Sequence, residues 1–227
     1  MSEFVHLQVK SHYSLRSGLP TPKDIVDAAQ KKGLKAVAMT DKNSFFGIIK
    51  FYNYAISKGV KPICGVDFDI ESNLKGLTKG LLLAKNKKGL EKLFSLSTKS
   101  YLQANKGIKI NENEILALRD DIIFILPSDN FSIYKSTDIQ EEKDVIATID
   151  ALKNTFSSNL YLGVTNYSDD AYDENSSNLI KFCSEKNIHA VALNDVHFIK
   201  QSDFLNHQAK VAINTGTHLR SEMENPS

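Results

Sequence analysis

Four side chains in this sequence have the chemistry to hold a divalent ion: the carboxylates of Asp41, Asp67 and Asp195 and the imidazole of His197. Oxygen and neutral ring nitrogen are the usual donors to such ions. Asp195 and His197 form an Asp-x-His pair, and two residues so spaced in an extended segment point to the same side. Each aspartate also has a plain structural reading, because Asp caps helices and closes turns. Their weight comes from where they stand. Asp41, Asp67 and the Asn194-Asp195-Val196-His197 tract each follow a short apolar run, as do Gln8, Lys10 and Lys42.

Seven such runs recur along the chain: 5–7, 36–39, 62–64, 81–83, 122–126, 160–162 and 190–193. They are continuous rather than alternating, the pattern of parallel strands covered on both faces. Segments of helical period separate them. Thr21-Pro22 supplies an N-cap and a proline at the first helical position, and Ile25, Val26 and Ala29 share a face before Gly33. Ser44 is read as the cap of a second helix in which Ile48, Ile49, Tyr52 and Ile56 share a face, ending at Gly59. Further helices are expected over 90–99, 142–155, 175–186 and 203–213, with irregular excursions over 103–119 and 128–140. Repeated β-α units predict an α/β fold, either barrel or doubly wound sheet, in which the C-terminal ends of the strands carry the chemistry.

Composition narrows the function. With 227 residues, 28 Lys+Arg against 27 Asp+Glu, and 41% hydrophobic residues, the chain is neither disordered nor a coiled coil, and one domain over 1–227 is expected. No apolar run approaches the roughly 20 residues of a membrane span, and residues 1–8 lack a secretory pattern, so the expected compartment is the cytoplasm. Cys64 and Cys183 are read as packed, reduced thiols. A net charge of +1 excludes strong indiscriminate nucleic-acid binding and leaves only local contact with DNA. There is no phosphate loop, nucleophile elbow or dinucleotide fingerprint. His6 is read as a hydrogen-bonded core or rim residue, while His12, His189 and His218 carry no signal.

The tracts Phe4-Val5-His6-Leu7, Tyr13-Ser14-Leu15, Ala38-Met39-Thr40-Asp41, Phe46-Gly47, Gly59-Val60-Lys61-Pro62-Ile63, Leu83-Ala84-Lys85-Asn86 and Asn194-Asp195-Val196-His197-Phe198 together resemble the N-terminal PHP (polymerase and histidinol phosphatase) domain of bacterial replicative DNA polymerase III alpha subunits. The resemblance implies a distorted, TIM-like (β/α)7 barrel. It also implies a fragment of a much longer polymerase, whose magnesium-binding palm lies downstream of Ser227 and which works with DNA in a replicase holoenzyme. It further implies that the epsilon proofreading exonuclease is a partner, and that His207 is a packing position.

Metal-binding members of the family resemble one another in a histidine-rich site for phosphoester hydrolysis. Its positions fall here on Gln8, Lys10, Ser17, Lys42, Asp67, Lys79, Ser128, Asp195 and His197, beside Asp41. Only Asp195 and His197 match, with Asp67 a shortened carboxylate. A protonated lysine has no lone pair and repels a cation at close range. The departures therefore imply a catalytically inactive, metal-free domain, with no cofactor of its own, in which Lys10, Lys42 and Lys79 balance the remaining carboxylates. The competing readings are a residual metal-dependent phosphoesterase, either a pyrophosphatase or a 3'-5' exonuclease, and a stand-alone PHP phosphatase.

Overall fold

The computed structural model describes residues 4–15, 17–103, 107–128, 139–165 and 170–218. In chain order its elements are α1 (Pro22–Lys31), β1 (Ala36–Lys42), α2 (Ile48–Ser57), β2 (Lys61–Glu71), β3 (Lys79–Ala84), α3 (Lys87–Leu102), β4 (Ile110–Asn111), α4 (Glu112–Leu116), β5 (Ile122–Pro127), α5 (Ile139–Phe156), β6 (Leu160–Val164), α6 (Asp170–Lys186), β7 (His189–Ala192) and α7 (Phe204–Thr215). They form two compact units, residues 1–64 with 195–227, and residues 65–194.

In the first unit, α1 begins as the residue types dictate. The Thr21 hydroxyl accepts from the Asp24 N–H at 3.2 Å, the Asp24 carboxylate accepts from the Thr21 N–H at 2.9 Å, and Ile25, Val26 and Ala29 are buried. The start of α2 departs from expectation. Its N-cap is Gly47, without a side-chain bond, and the buried Ser44 hydroxyl has no hydrogen-bond partner. Packing sets this start, since a Cβ on Gly47 would lie 2.6 Å from the Tyr13 ring. Ile48, Phe51 and Ala55 face inward, whereas Ile49, Tyr52 and Ile56 are 61%, 45% and 56% exposed.

The first expected strand, 5–7, is not a regular strand. The segment runs beside β1, with the Ala38 and Thr40 N–H groups donating to the His6 and Val9 carbonyls. Three residues there span two on β1, so the ladder is broken as at a bulge. On its other side Val9 bridges Val196 in parallel.

The second unit corrects the all-parallel expectation. β3 pairs antiparallel with both β2 and β5, while β5–β6 and β6–β7 are parallel. Residues 72–78 between β2 and β3 hold no helix, and a parallel return needs a crossover of about a dozen residues or more. The excursion expected over 103–119 contains β4, which pairs with β2 at Ile70, and α4, started by an Asn111–Glu114 capping box. Most of 128–140 lies outside the described residues. Phe124, Leu81, Leu93, Ile149 and Leu162 form the buried core, with the Phe124 ring 5.2 Å from that of Phe156. β7, expected to be buried, exposes His189, Ala190 and Ala192. Cys64 and Cys183 are free and buried, and burial pushes both thiols up to about 11.

Candidate functional site

The bulged segment places Gln8 and Lys10 between β1 and the 195–197 tract, because the Lys10 N–H donates to the Val196 carbonyl at 2.8 Å and the Val196 N–H to that of Gln8 at 3.0 Å. Lys10 is 2% exposed and Gln8 4%. The Lys10 ammonium lies 3.5 Å from Asp195 Oδ1, and His197 Nε2 lies 3.2 Å from Asp195 Oδ2. Burial pushes the Asp195 carboxyl up, but the Lys10 charge and the His197 hydrogen bond outweigh it and hold the group well below the usual carboxylate range. The His197 ring packs 5.1 Å from that of His207, whose Nδ1 meets the Ser17 carbonyl at 3.0 Å. Burial lowers the pKa of His207.

Asp41, 1% exposed at the end of β1, is held by neutral donors. The Ser11 N–H donates at 2.6 Å, the Ser11 hydroxyl at 2.7 Å and the Ser14 hydroxyl at 2.7 Å. The loop that presents these serines closes tightly: a Cβ on Gly18 would lie 2.0 Å from the Ser11 carbonyl oxygen, and Lys210 on α7 donates to the Gly18 carbonyl. The half-buried Lys42 is tied in through its N–H, which donates to the Ser14 hydroxyl at 3.0 Å.

In the second unit, Asp67 is 2% exposed and pairs with Leu81 across β2 and β3. Lys79 stands directly opposite Asp69 and diagonal to Asp67 on the same face of the hairpin, an arrangement in which opposite charges attract. Ser128 follows β5 and is half-buried. Sequence reasoning passed over Ser11, Ser14, Asp69 and Lys210. The two serines were within reach of it, since hydroxyls three residues apart just after an extended segment form turns whose oxygens can turn toward a strand end.

The residues present do not fit a polynuclear metal centre. Where the family resemblance puts imidazoles, the first unit has a buried ammonium beside Asp195, and an ammonium can donate but not ligate. Among the described residues no three His, Cys, Asp or Glu side chains lie together so as to hold an ion. No helix of the described residues is long and apolar enough to cross a membrane.

Comparison with known proteins agrees with this architecture. The chain is 32% identical over 235 residues to the DNA polymerase III subunit alpha of Buchnera aphidicola subsp. Schizaphis graminum, covering 99% of this chain and 20% of the relative. It is 31% identical over 220 residues to that of Pseudomonas aeruginosa, with 95% and 19% covered, and 30% identical over 225 residues to that of Escherichia coli K12, with 96% and 19% covered. The chain thus spans about a fifth of the length of these curated relatives. Among solved structures, a protein described as a metal-dependent phosphoesterase of Bifidobacterium adolescentis superposes with a TM-score of 0.61 at 12% identity, covering 88% of this chain and 90% of that one. An amidohydrolase of Chromobacterium violaceum, with bound sulfate and no metal, gives 0.53 at 11% identity, covering 91% and 96%. These likenesses bear out the α/β fold of PHP type. The PHP domain family matches residues 6–166, more than half of the sequence, and this chain is a member of it.

Proposed function

We propose that this chain is the N-terminal PHP domain of a bacterial replicative DNA polymerase alpha subunit, acting in the cytoplasm as a metal-free structural and docking module. In this reading the longer polypeptide carries DNA-templated synthesis with magnesium and engages DNA within the replicase holoenzyme through its later domains. The PHP domain takes no cofactor and is the attachment point for the epsilon proofreading exonuclease. The observation that carries the proposal is the Lys10 ammonium, 2% exposed and 3.5 Å from Asp195. A buried ammonium neutralises a carboxylate permanently, as a metal ion does reversibly, but it cannot activate water as a metal does.

The test has two arms. The purified chain is equilibrated with zinc or manganese and assayed for bound metal and for hydrolysis of pyrophosphate and of a 3'-labelled oligonucleotide; it is then mixed with the epsilon subunit and run on a sizing column. The expected result is no stoichiometric metal, no hydrolysis and co-elution with epsilon. Several equivalents of tightly bound metal accompanied by hydrolysis would replace the scaffold reading with the phosphoesterase one, and separate elution would remove the docking role.

A further inference from the structure

Charge is unevenly placed along this chain. Residues 28–66 contain seven lysines and a single acidic residue, Asp41, which is buried and bound by Ser11 and Ser14. Five of those lysines, Lys31, Lys32, Lys35, Lys58 and Lys61, are exposed and stand where α1 and α2 stop and β1 and β2 begin. The backbone holds them together: the Lys61 N–H donates to the Lys35 carbonyl at 2.8 Å, and the Gln30 side chain at the end of α1 donates to the Lys58 carbonyl at 3.1 Å. Lys32 adds to burial in lowering the pKa of His6, against which the exposed Phe4 ring packs edge-on at 4.8 Å. The nearby acid on α1, Asp27, accepts from the Tyr54 hydroxyl at 2.8 Å, and the ammoniums of Lys23 and Lys58 lie 5.1 and 5.3 Å from the centre of that tyrosine ring.

Helix dipoles favour cations at C-terminal ends and so account for Lys31, Lys32 and Lys58. Lys61, at the start of β2, gains nothing from them. Crowded ammoniums repel one another, and a polyanion laid across them relieves that repulsion while releasing its own counterions.

We infer that this end of the first unit is a binding face for the phosphate backbone of DNA. Lysines act as point charges suited to phosphates and carry no base readout, so binding is independent of sequence. An acidic protein partner fits less well, because protein interfaces are anchored by buried aromatic and apolar groups, and the five lysines here outnumber the large exposed apolar side chains beside them, Phe4 and Ile56. The choice of DNA among polyanions rests on the polymerase reading above; the argument from charge does not.

The test is fluorescence anisotropy of a labelled single strand, and of its duplex, titrated with the 227-residue chain at rising salt. The expected result is binding that weakens with salt. In the variant carrying Lys31→Gln, Lys32→Gln, Lys58→Gln and Lys61→Gln, affinity falls at least about tenfold, and the log–log salt slope on duplex shrinks by about 3 to 4. The same four positions changed to Arg retain binding, which separates charge from folding. Lys85→Gln, Lys87→Gln and Lys88→Gln at the exposed start of α3 leave it unchanged. Absence of DNA binding, a glutamine variant that binds like the parent, an arginine variant that fails equally, or polyglutamate competing as well as DNA would each overturn the inference. None of these outcomes bears on the metal and epsilon measurements, so the two proposals fail separately.

Discussion

Asp41 and Asp195 lie on extended segments that flank residues 8–10 in one unit, yet the fold gives them different immediate partners. Asp41 accepts from three neutral donors of the Ser11–Ser14 loop, and Lys210, a cation that it attracts, donates instead to the Gly18 carbonyl. Asp195 is a third exposed and is balanced by the Lys10 ammonium and the His197 ring. Both arrangements place polar partners at the oxygens of a carboxylate, and they fail differently. Neutral donors lose one charge-assisted hydrogen bond at a time, whereas removal of a buried counter-ion leaves the remaining charge uncompensated.

The largest effect belongs to the cation. Lys10→Met should destabilise the chain by about 3 kcal/mol, the low end for a broken buried pair because Asp195 is partly solvated. Urea unfolding at pH 7 measures it, and the Lys10→Met/Asp195→Asn double variant should regain much of the loss. An unchanged midpoint in the single variant would remove the counter-charge role. Next comes Gly18→Ala, in which the new methyl meets the Ser11 carbonyl; about 2 to 3 kcal/mol is expected from overpacking, with the serine donors displaced from Asp41. Ser14→Ala should cost about 2 kcal/mol as the Asp41 carboxylate loses one charge-assisted bond, and Asp195→Asn should not rescue it. If it does, the two carboxylates are one network and the contrast between them collapses.

Acid sharpens the comparison further. The folded Asp195 carboxyl binds its proton more weakly than the unfolded one, so its contribution is fully present above about pH 5 and is lost as pH falls through and below the ordinary carboxylate range near 4. The parent should therefore lose more stability between pH 6 and pH 3 than Asp195→Asn does, in paired urea titrations. Equal losses would mean that Lys10 and His197 do not depress that group. The smallest effect is expected from His197→Gln, about 0.5 to 1 kcal/mol, because that ring supports Asp195 at 3.2 Å from a partly solvated position.

Much of the architecture was legible in advance. The capped start of α1, the apolar runs of β1, β3, β5 and β6 and the helices between them follow from local types and periods. The missing strand at 5–7 did not, because a bulge depends on the partner it is laid against. The antiparallel β3 was hidden because a short connection and a buried strand look the same in either direction until register is known. On α2, four apolar residues could not be divided into inward and outward sets without the position of α1 and Tyr13. Of the candidate site, the pairing of Asp195 with His197 was visible as a two-residue spacing, and the Lys10 contact as a replaced ligand position. The serines around Asp41 and the placing of Lys79 opposite Asp69 were not visible, since both depend on contacts between segments.

Residue identities alone establish that positions 10, 42 and 79 carry lysines, which cannot ligate an ion while protonated, since no folding can give a protonated amine a lone pair. Folding assigned each acid its partner: a lysine for Asp195, hydroxyls for Asp41, an opposing strand for the Asp67 face. Those assignments depend on distances of a few ångströms between residues far apart in the chain, and Coulomb and hydrogen-bond energies change steeply over that range.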